Sequence, residues 1–228
     1  MKMQIKVTYF THSGSDGENR DALLVDSVVA GVDMPSCKQI YSASKLFAIS
    51  DGIGRGKYSK LASMTIVKRL KELGFSLKNL HKIQDELELE GLKDRSKLGS
   101  GATLSGVYLD KEFAKIFHVG DSRVYHISDG RAIQLTCDHT QAELLLKGSA
   151  DLASIYSMLM NYYVYGVNEE FFVESKVIRI KEGDKLFICS DGVIEAVKDL
   201  QDSLIAFDVN EFCVLDSHDD FSFIYIEL

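Results

Sequence analysis

The residues whose placement invites chemistry in this 228-residue chain are aspartates at the ends of apolar runs. Asp51 closes KLFAISDG, Asp121 closes AKIFHVGD, Asp191 closes KLFICSDG, Asp219 and Asp220 precede FSFIYIEL, and Asp21 opens the run in ENRDALLV. Taken singly, each is an ordinary turn residue whose carboxylate satisfies its own backbone. Repetition argues otherwise, because the same S-D-G element closes both KLFAISDG and KLFICSDG, with G-D-S and D-D in the same context. If strands bring these ends to one edge, the carboxylates raise one another's pKa unless cations neutralise them. Oxygen ligands without His or Cys select Mg²⁺, Mn²⁺ or Ca²⁺ over zinc or copper. Two such ions about 3.5–4 Å apart lower the pKa of a water and hold a phosphoryl group for in-line attack. Phosphate-ester hydrolysis is therefore the expected chemistry, and no protein nucleophile is required.

Rival chemistries fail on spacing. The loop GIGRGKYS follows an apolar run and precedes a helical pattern, but a Walker loop ending at Gly56 and Lys57 needs Gly at position 51 and Ser or Thr at 58, where the chain has Asp51 and Tyr58. None of Cys37, Cys137, Cys189 and Cys213 is followed at the sixth position by the Arg that a cysteine phosphatase uses to clamp phosphate. They form no C-x-x-C pair either and read as separate buried thiols of a reducing cytosol. His118, His126 and His139 show no H-x-x-x-H spacing and take strand or turn roles by default. A net charge of −8 excludes nucleic acid as the main partner. The alternating start MKMQIKVTYF is no signal peptide, and no apolar run has the length of a membrane span, so a soluble cytoplasmic protein is expected.

The elements that position these acids are mostly strands. Met3, Ile5, Val7 and Tyr9 alternate with polar residues, and β-prone runs follow at Ala22 to Val29, Lys45 to Ile49, Ala102 to Leu109, Phe113 to Val119, Arg123 to Ile127, Phe172 to Ile180, Lys185 to Cys189 and Phe221 to Leu228. In the last run Phe221, Phe223 and Tyr225 share one face and Ile224, Ile226 and Leu228 the other, so both faces need cover. Helical spacing appears at Tyr58 to Leu73, through Ala62, Ile66, Leu70 and Leu73, and again at Leu80 to Leu89. No repeat or Pro-rich linker divides the chain, so 1–228 is read as one domain.

In order and over nearly its whole length, the chain resembles the metal-dependent protein phosphatases of the PPM or type 2C family, bacterial type. The resemblance runs through ENRDA, FAISDGIGRG, SGATLSGVYL, FHVGDSRVYHISDGRAIQLTCDHT, DKLFICSDGV and DDFSFIYIEL. It implies an α+β fold, a four-layer α-β-β-α sandwich of two antiparallel sheets with a pair of helices on each outer side. It also implies hydrolysis of phosphoserine and phosphothreonine in proteins by a metal-activated water. Asp51 then bridges two Mn²⁺ or Mg²⁺ ions and Gly52 offers its carbonyl. Asp21 matches the acid of the N-x-D element and is counted among the residues that hold the two ions, Asp191 and Asp219 match acids of the other metal, and Asp121 matches the ligand of a third, weaker one. Asp51 and Asp191 are the catalytic pair, while Arg123 and Asp138 are structural. A monomer acting on a phosphoprotein substrate, opposite a Ser/Thr kinase, completes the implied picture.

Three departures stand out. The family's phosphate-binding Arg, five residues before the N-x-D acid, is replaced by Asp16, which leaves Arg20 or Arg55 to substitute. Ile53 stands where many relatives have a His able to protonate the leaving group, so a water is left to serve as general acid. The stretch between Asp191 and Asp219 is short, which suggests a trimmed outer helix. The segment from Thr140 to about Glu174 corresponds to the flap beside the active site. Its Met158, Met160, Tyr162 and Tyr163 are expected to pack as a helix into the core, with a docking patch as the alternative. The alternative function is a weak or inactive relative that binds a protein partner without turnover; the missing Arg favours it and the retained acids oppose it.

Overall fold

The computed structural model describes residues 5–15, 17–54, 58–141, 143, 158–215 and 217–228; Asp16, Arg55 and the flap positions 142 and 144–157 lie outside them. One antiparallel sheet has the order β11 (Arg131–Gln134), β10 (Arg123–Ser128), β14 (Lys185–Cys189), β15 (Phe221–Glu227), β1 (Ile5–His12), β4 (Lys38–Ser42). The second runs β13 (Glu174–Arg179), β9 (Phe113–Val119), β8 (Leu104–Asp110), β5 (Leu46–Ser50), β2 (Ala22–Val25), β3 (Ser27–Ala30). A small third sheet joins β12 (Tyr163–Val164), β7 (Gly101–Ala102) and β6 (Gly52–Ile53).

The period of two along each strand assigns the faces. Leu23, Val25, Phe47, Ile49, Val107 and Ile116 enter the core shared with the first sheet, while Ala22, Leu24, Ala48, Leu104 and Phe117 turn outward to the helices. There α1 (Ser59–Leu73) and α2 (Leu77–Lys93) bury Ala62, Ile66 and Leu70 against Leu80, Ile83 and Leu87. Each such Ile or Leu contributes about 1.5–3 kcal/mol by leaving water. Arg69 forks onto Glu86 with bonds of 2.7 and 2.8 Å and ties the two helices together. The α2 helix starts earlier than its apolar pattern shows, because Ser76 caps it by accepting from the Asn79 N–H.

As its pattern requires, β15 is buried on both faces, in the middle of the first sheet. Tyr225 stacks on Phe207 at 4.2 Å between ring centroids and Phe223 on Phe187 at 5.5 Å. The cover on this side is three short helices, α3 (Asp191–Ala196), α4 (Leu200–Ile205) and α5 (Val209–Phe212), in place of a long pair. The trimmed segment before Asp219 accounts for this thinner layer.

Several expectations need correction. The run Ala22 to Val29 is a hairpin, β2 to β3, turned at Asp26 with φ 56°. Strand β4 carries no signal in the sequence because it is a mostly exposed edge without apolar alternation. Described flap residues 158–165 form no helix: Thr140 bridges Leu159 and β12 pairs with β7. Tyr163 is buried there, whereas Met158 and Met160 are exposed. Nor are the cysteines four separate buried thiols. Cys37 and Cys213, 176 positions apart, form a disulfide with Cα atoms 6.1 Å apart, while Cys189 is buried and Cys137 exposed. Among the described residues, no helix is long and apolar enough to cross a membrane.

Candidate metal centre

Antiparallel pairing gathers the aspartates. The C-terminal end of one strand lies beside the N-terminal end of its neighbour, so a residue just after one strand meets a residue just before the next. Ala22 pairs with Ser50, which sets Asp21 beside Asp51. Cys189 pairs with Phe223 and the Ser190 N–H donates to the Ser222 carbonyl, which sets Asp191 beside Asp219 and Asp220. Asp121 follows β9 at the same edge. Asp51, Gly52, Asp121, Asp191 and Asp219 line one cleft of about 310 Å³, together with Arg20, Ile53, Thr103, Glu195 and His218. Asp21 is not on its wall; it lies fully buried, close enough for its charge to act on Asp51.

The glycines that follow Asp51 and Asp191 permit close approach. A Cβ on Gly192 would stand 2.3 Å from the Asp220 carbonyl oxygen, and one on Gly52 would stand 2.8 Å from that of Ser59. Thr103, from SGATL, locks the strand ends together. Its hydroxyl accepts from the Asp51 N–H at 3.0 Å and lies 2.7 Å from Ser122 Oγ, while its own N–H donates to the Asp51 carbonyl at 2.8 Å. Before β2, the Asn19 side chain accepts from the Asp21 N–H at 3.0 Å and donates to Thr11 Oγ1 at 2.8 Å. Arg123 forks onto Asp138 at 2.9 and 2.6 Å, the structural role expected of that pair.

This concentration of acids is electrostatically costly as it stands. Burial pushes the Asp51 carboxyl well above the usual carboxylate range, and the charges of Asp21, Asp191 and Asp121 push further. Asp21 is raised by burial first, and then by Asp220 and Asp191. Burial and Asp191 bring Asp121 to about 8. Burial also lifts Asp191 to about 6, with Asp219 and Glu195 raising it and a hydrogen bond to Asp51 opposing them. Both oxygens of Asp21, Oδ1 of Asp191 and Oδ1 of Asp220 are buried without a hydrogen-bond partner. Orphaned carboxylate oxygens at and beside one cleft, whose donors are oxygens apart from the His218 imidazole, fit hard divalent cations better than a soft metal.

Two features were not legible in the sequence. His139 grips the peptide before Asp121 from both sides: its N–H donates to the Gly120 carbonyl at 2.7 Å and its Nδ1 accepts from the Gly120 N–H at 3.1 Å. Its Nε2 lies 3.6 Å from Glu174, and its ring centroid lies 4.5 Å from that of His118, so residues 118, 139 and 174 meet although their spacing shows nothing. Burial and His139 hold His118 at about 3, as a neutral ring. Glu195 is the second. It sits one helical turn after Asp191 on α3, a placement that i, i+4 spacing would have shown had a helix been expected there.

Comparison with known proteins accords with this geometry. The family model described as protein phosphatase 2C matches residues 33–214, a span that takes in Asp51, Asp121 and Asp191. The serine/threonine protein phosphatase PstP of Mycobacterium tuberculosis is 25% identical over 181 residues, covering 70% of this chain and 34% of PstP, so the chain spans about a third of that relative. The serine/threonine phosphatase stp of Listeria welshimeri is 25% identical over 171 residues, covering 67% of this chain and 68% of stp. The fold matches that of the PstP catalytic domain, solved with two manganese ions, with a TM-score of 0.75 at 18% identity and 98% of both chains covered. With the family model matching more than half of its length, the chain belongs to the protein phosphatase 2C family.

Proposed function

We propose that this chain hydrolyses phosphoserine and phosphothreonine esters of proteins with divalent cations held at the aspartate cleft. The observation that supports it best is the convergence of Asp51, Gly52, Asp121, Asp191 and Asp219 on one cleft, where Oδ1 of Asp191 is buried with no protein partner. In this reading Asp51, the Gly52 carbonyl, Asp191 and Asp219 hold two Mn²⁺ or Mg²⁺ ions, and Asp121 serves a third, weaker site. Asp21 acts from beneath. The cations, when bound, supply Lewis acidity toward the phosphoryl oxygens and a water of lowered pKa.

The chain's own groups orient and exclude. Thr103 fixes Asp51 through the two main-chain bonds, so the carboxylate is aimed before any ligand arrives. No cysteine lines the cleft among the described residues, and the Thr103 hydroxyl is engaged with Asp51 and Ser122, which favours water over a protein nucleophile. Ile53 on the wall offers no proton to a leaving group. A phosphoprotein substrate belongs to the same proposal, supported by the serine/threonine phosphatase names of the relatives, and an opposing Ser/Thr kinase, a monomeric enzyme and a cytoplasmic setting are proposed with it.

The test is hydrolysis of an aryl phosphate and of a phosphothreonine peptide with Mn²⁺, with Mg²⁺ and with EDTA. We expect turnover of both substrates with metal, and a loss of more than about a hundredfold with chelator. Turnover that is indifferent to EDTA would contradict the reading.

A further inference from the structure

We propose that Arg20 is the phosphate-binding residue of this cleft, in place of the basic group that the family pattern puts at position 16; the proposal rests on the hydrolase reading above. Among the described residues lining the cleft, Arg20 is the one Lys or Arg. The remaining ionisable lining groups are the carboxylates of Asp51, Asp121, Asp191, Asp219 and Glu195, and His218. Apart from bound cations, a phosphate dianion entering among those acids finds a single permanently positive side chain among the described residues. A guanidinium, with a fixed fork of five N–H donors, matches phosphoryl oxygens better than any other side chain.

Arg20 is held in place before any ligand arrives. It is the central residue of Asn19-Arg20-Asp21, and its side chain is 7% exposed. Its N–H donates to Asp220 Oδ2 at 2.8 Å, and its Nη1 lies 3.6 Å from the same oxygen. The Ser63 hydroxyl donates to its carbonyl. Its stem packs under Gly52, where a Cβ would come to 3.0 Å from Arg20 Cβ. The Gly52 and Arg20 positions therefore fit each other, and both border the cleft. Pairing with Asp220 and binding a phosphoryl oxygen are compatible roles for one fork. The Asp220 contact lowers the entropy lost when phosphate binds, because the side chain is already ordered.

The experiment measures steady-state aryl phosphate hydrolysis at saturating Mn²⁺, inhibition by inorganic phosphate, and calorimetric binding of inorganic phosphate to the Mn²⁺-loaded protein. Arg20→Gln is expected to raise KM and weaken phosphate binding by about ten- to a hundredfold, the loss typical of a charged hydrogen bond. Arg20→Lys, which keeps the charge without the fork, should recover part of that loss. Because Arg20→Gln also strips the partner from buried Asp220, the double variant Arg20→Gln with Asp220→Asn separates the two roles. It should regain melting temperature while KM and the phosphate constant stay impaired. Wild-type phosphate binding in the double variant overturns the proposal and leaves Arg20 a partner of Asp220 only. So does an Arg55→Gln variant that alone carries the whole shift. Should the wild-type protein bind phosphate through Arg20 yet show no Mn²⁺-dependent turnover, the hydrolase reading fails and the Arg20 assignment stands.

Discussion

Asp51→Asn and Asp191→Asn each lower Mn²⁺-dependent hydrolysis by more than about a hundredfold, since even outer-shell partners of metal ligands are worth 10- to 100-fold. The metal-free fold keeps its stability or gains some. Both halves of the expectation come from one cause. In the folded chain Asp51 is pressed by Asp21, Asp191 and Asp121 on top of its burial, and it shares a hydrogen bond with Asp191, an arrangement in which two ionised carboxylates cannot coexist without a cation. An amide removes one charge and keeps hydrogen-bonding capacity, so repulsion falls while cation binding is lost. Turnover numbers and urea melts in EDTA measure the two halves separately. Near-normal turnover in both variants would sink the site assignment, and collapse of both folds without metal would show that the carboxylates are structural.

Metal-free protein loses stability as pH rises from about 7 to 9, and Mn²⁺ removes that loss. Asp191 and Asp121 titrate at about 6 and about 8 in the fold, against an ordinary 3.8, and Asp21 and Asp51 are raised as well. A carboxyl whose folded pKa exceeds its unfolded one binds its proton more tightly in the native state. Its stabilisation is therefore full below the ordinary value and is lost as pH climbs through the folded value. Asp33, Glu86 and Asp184 are shifted the other way by their hydrogen-bond partners, so their contribution falls away in acid. His118, held neutral by burial, opposes this trend below its ordinary 6.5, so the window between about pH 7 and 9, where it is neutral in both states, reports mainly the acid centre. In EDTA the melting temperature should fall across it. At pH 8, Mn²⁺ at a hundred times its Kd should add about 2.7 kcal/mol, or about 5–10 °C for a chain of this size. A melting temperature in EDTA that is flat or rising over this range contradicts the electrostatic account.

The same physics explains what could be read before the fold was known. Asp51, Asp191 and Asp219 stood out because strand alternation is a local signal and their runs end abruptly in S-D-G or D-D, so each strand end announced itself. Antiparallel pairing then did the gathering, as Ala22 opposite Ser50 and Cys189 opposite Phe223 show. Asp21 was recognised too, but its position beneath the cleft was not, because burial depth depends on the cover that α1 and the Asn19 turn provide. The Cys37–Cys213 bridge and the His118–His139–Glu174 cluster were invisible for a different reason: they join residues from distant segments whose spacing carries no periodic signal. Strand β4 and the three short helices are not legible in the sequence, because exposed edges and one- or two-turn elements bury too little to impose a pattern. Arg20 and Asp220 fall between these cases. Each is conspicuous beside an aspartate in the sequence, but only the fold shows that one oxygen of Asp220 holds both the main chain and the guanidinium of Arg20.

Anomalous diffraction from crystals of the full chain soaked in Mn²⁺ tests the central claim most directly. Two strong peaks in the cleft, both within bonding distance of Asp51 and completed by Gly52, Asp191 and Asp219, are the predicted result. Peaks elsewhere on the molecule, with no density between those carboxylates, would contradict it.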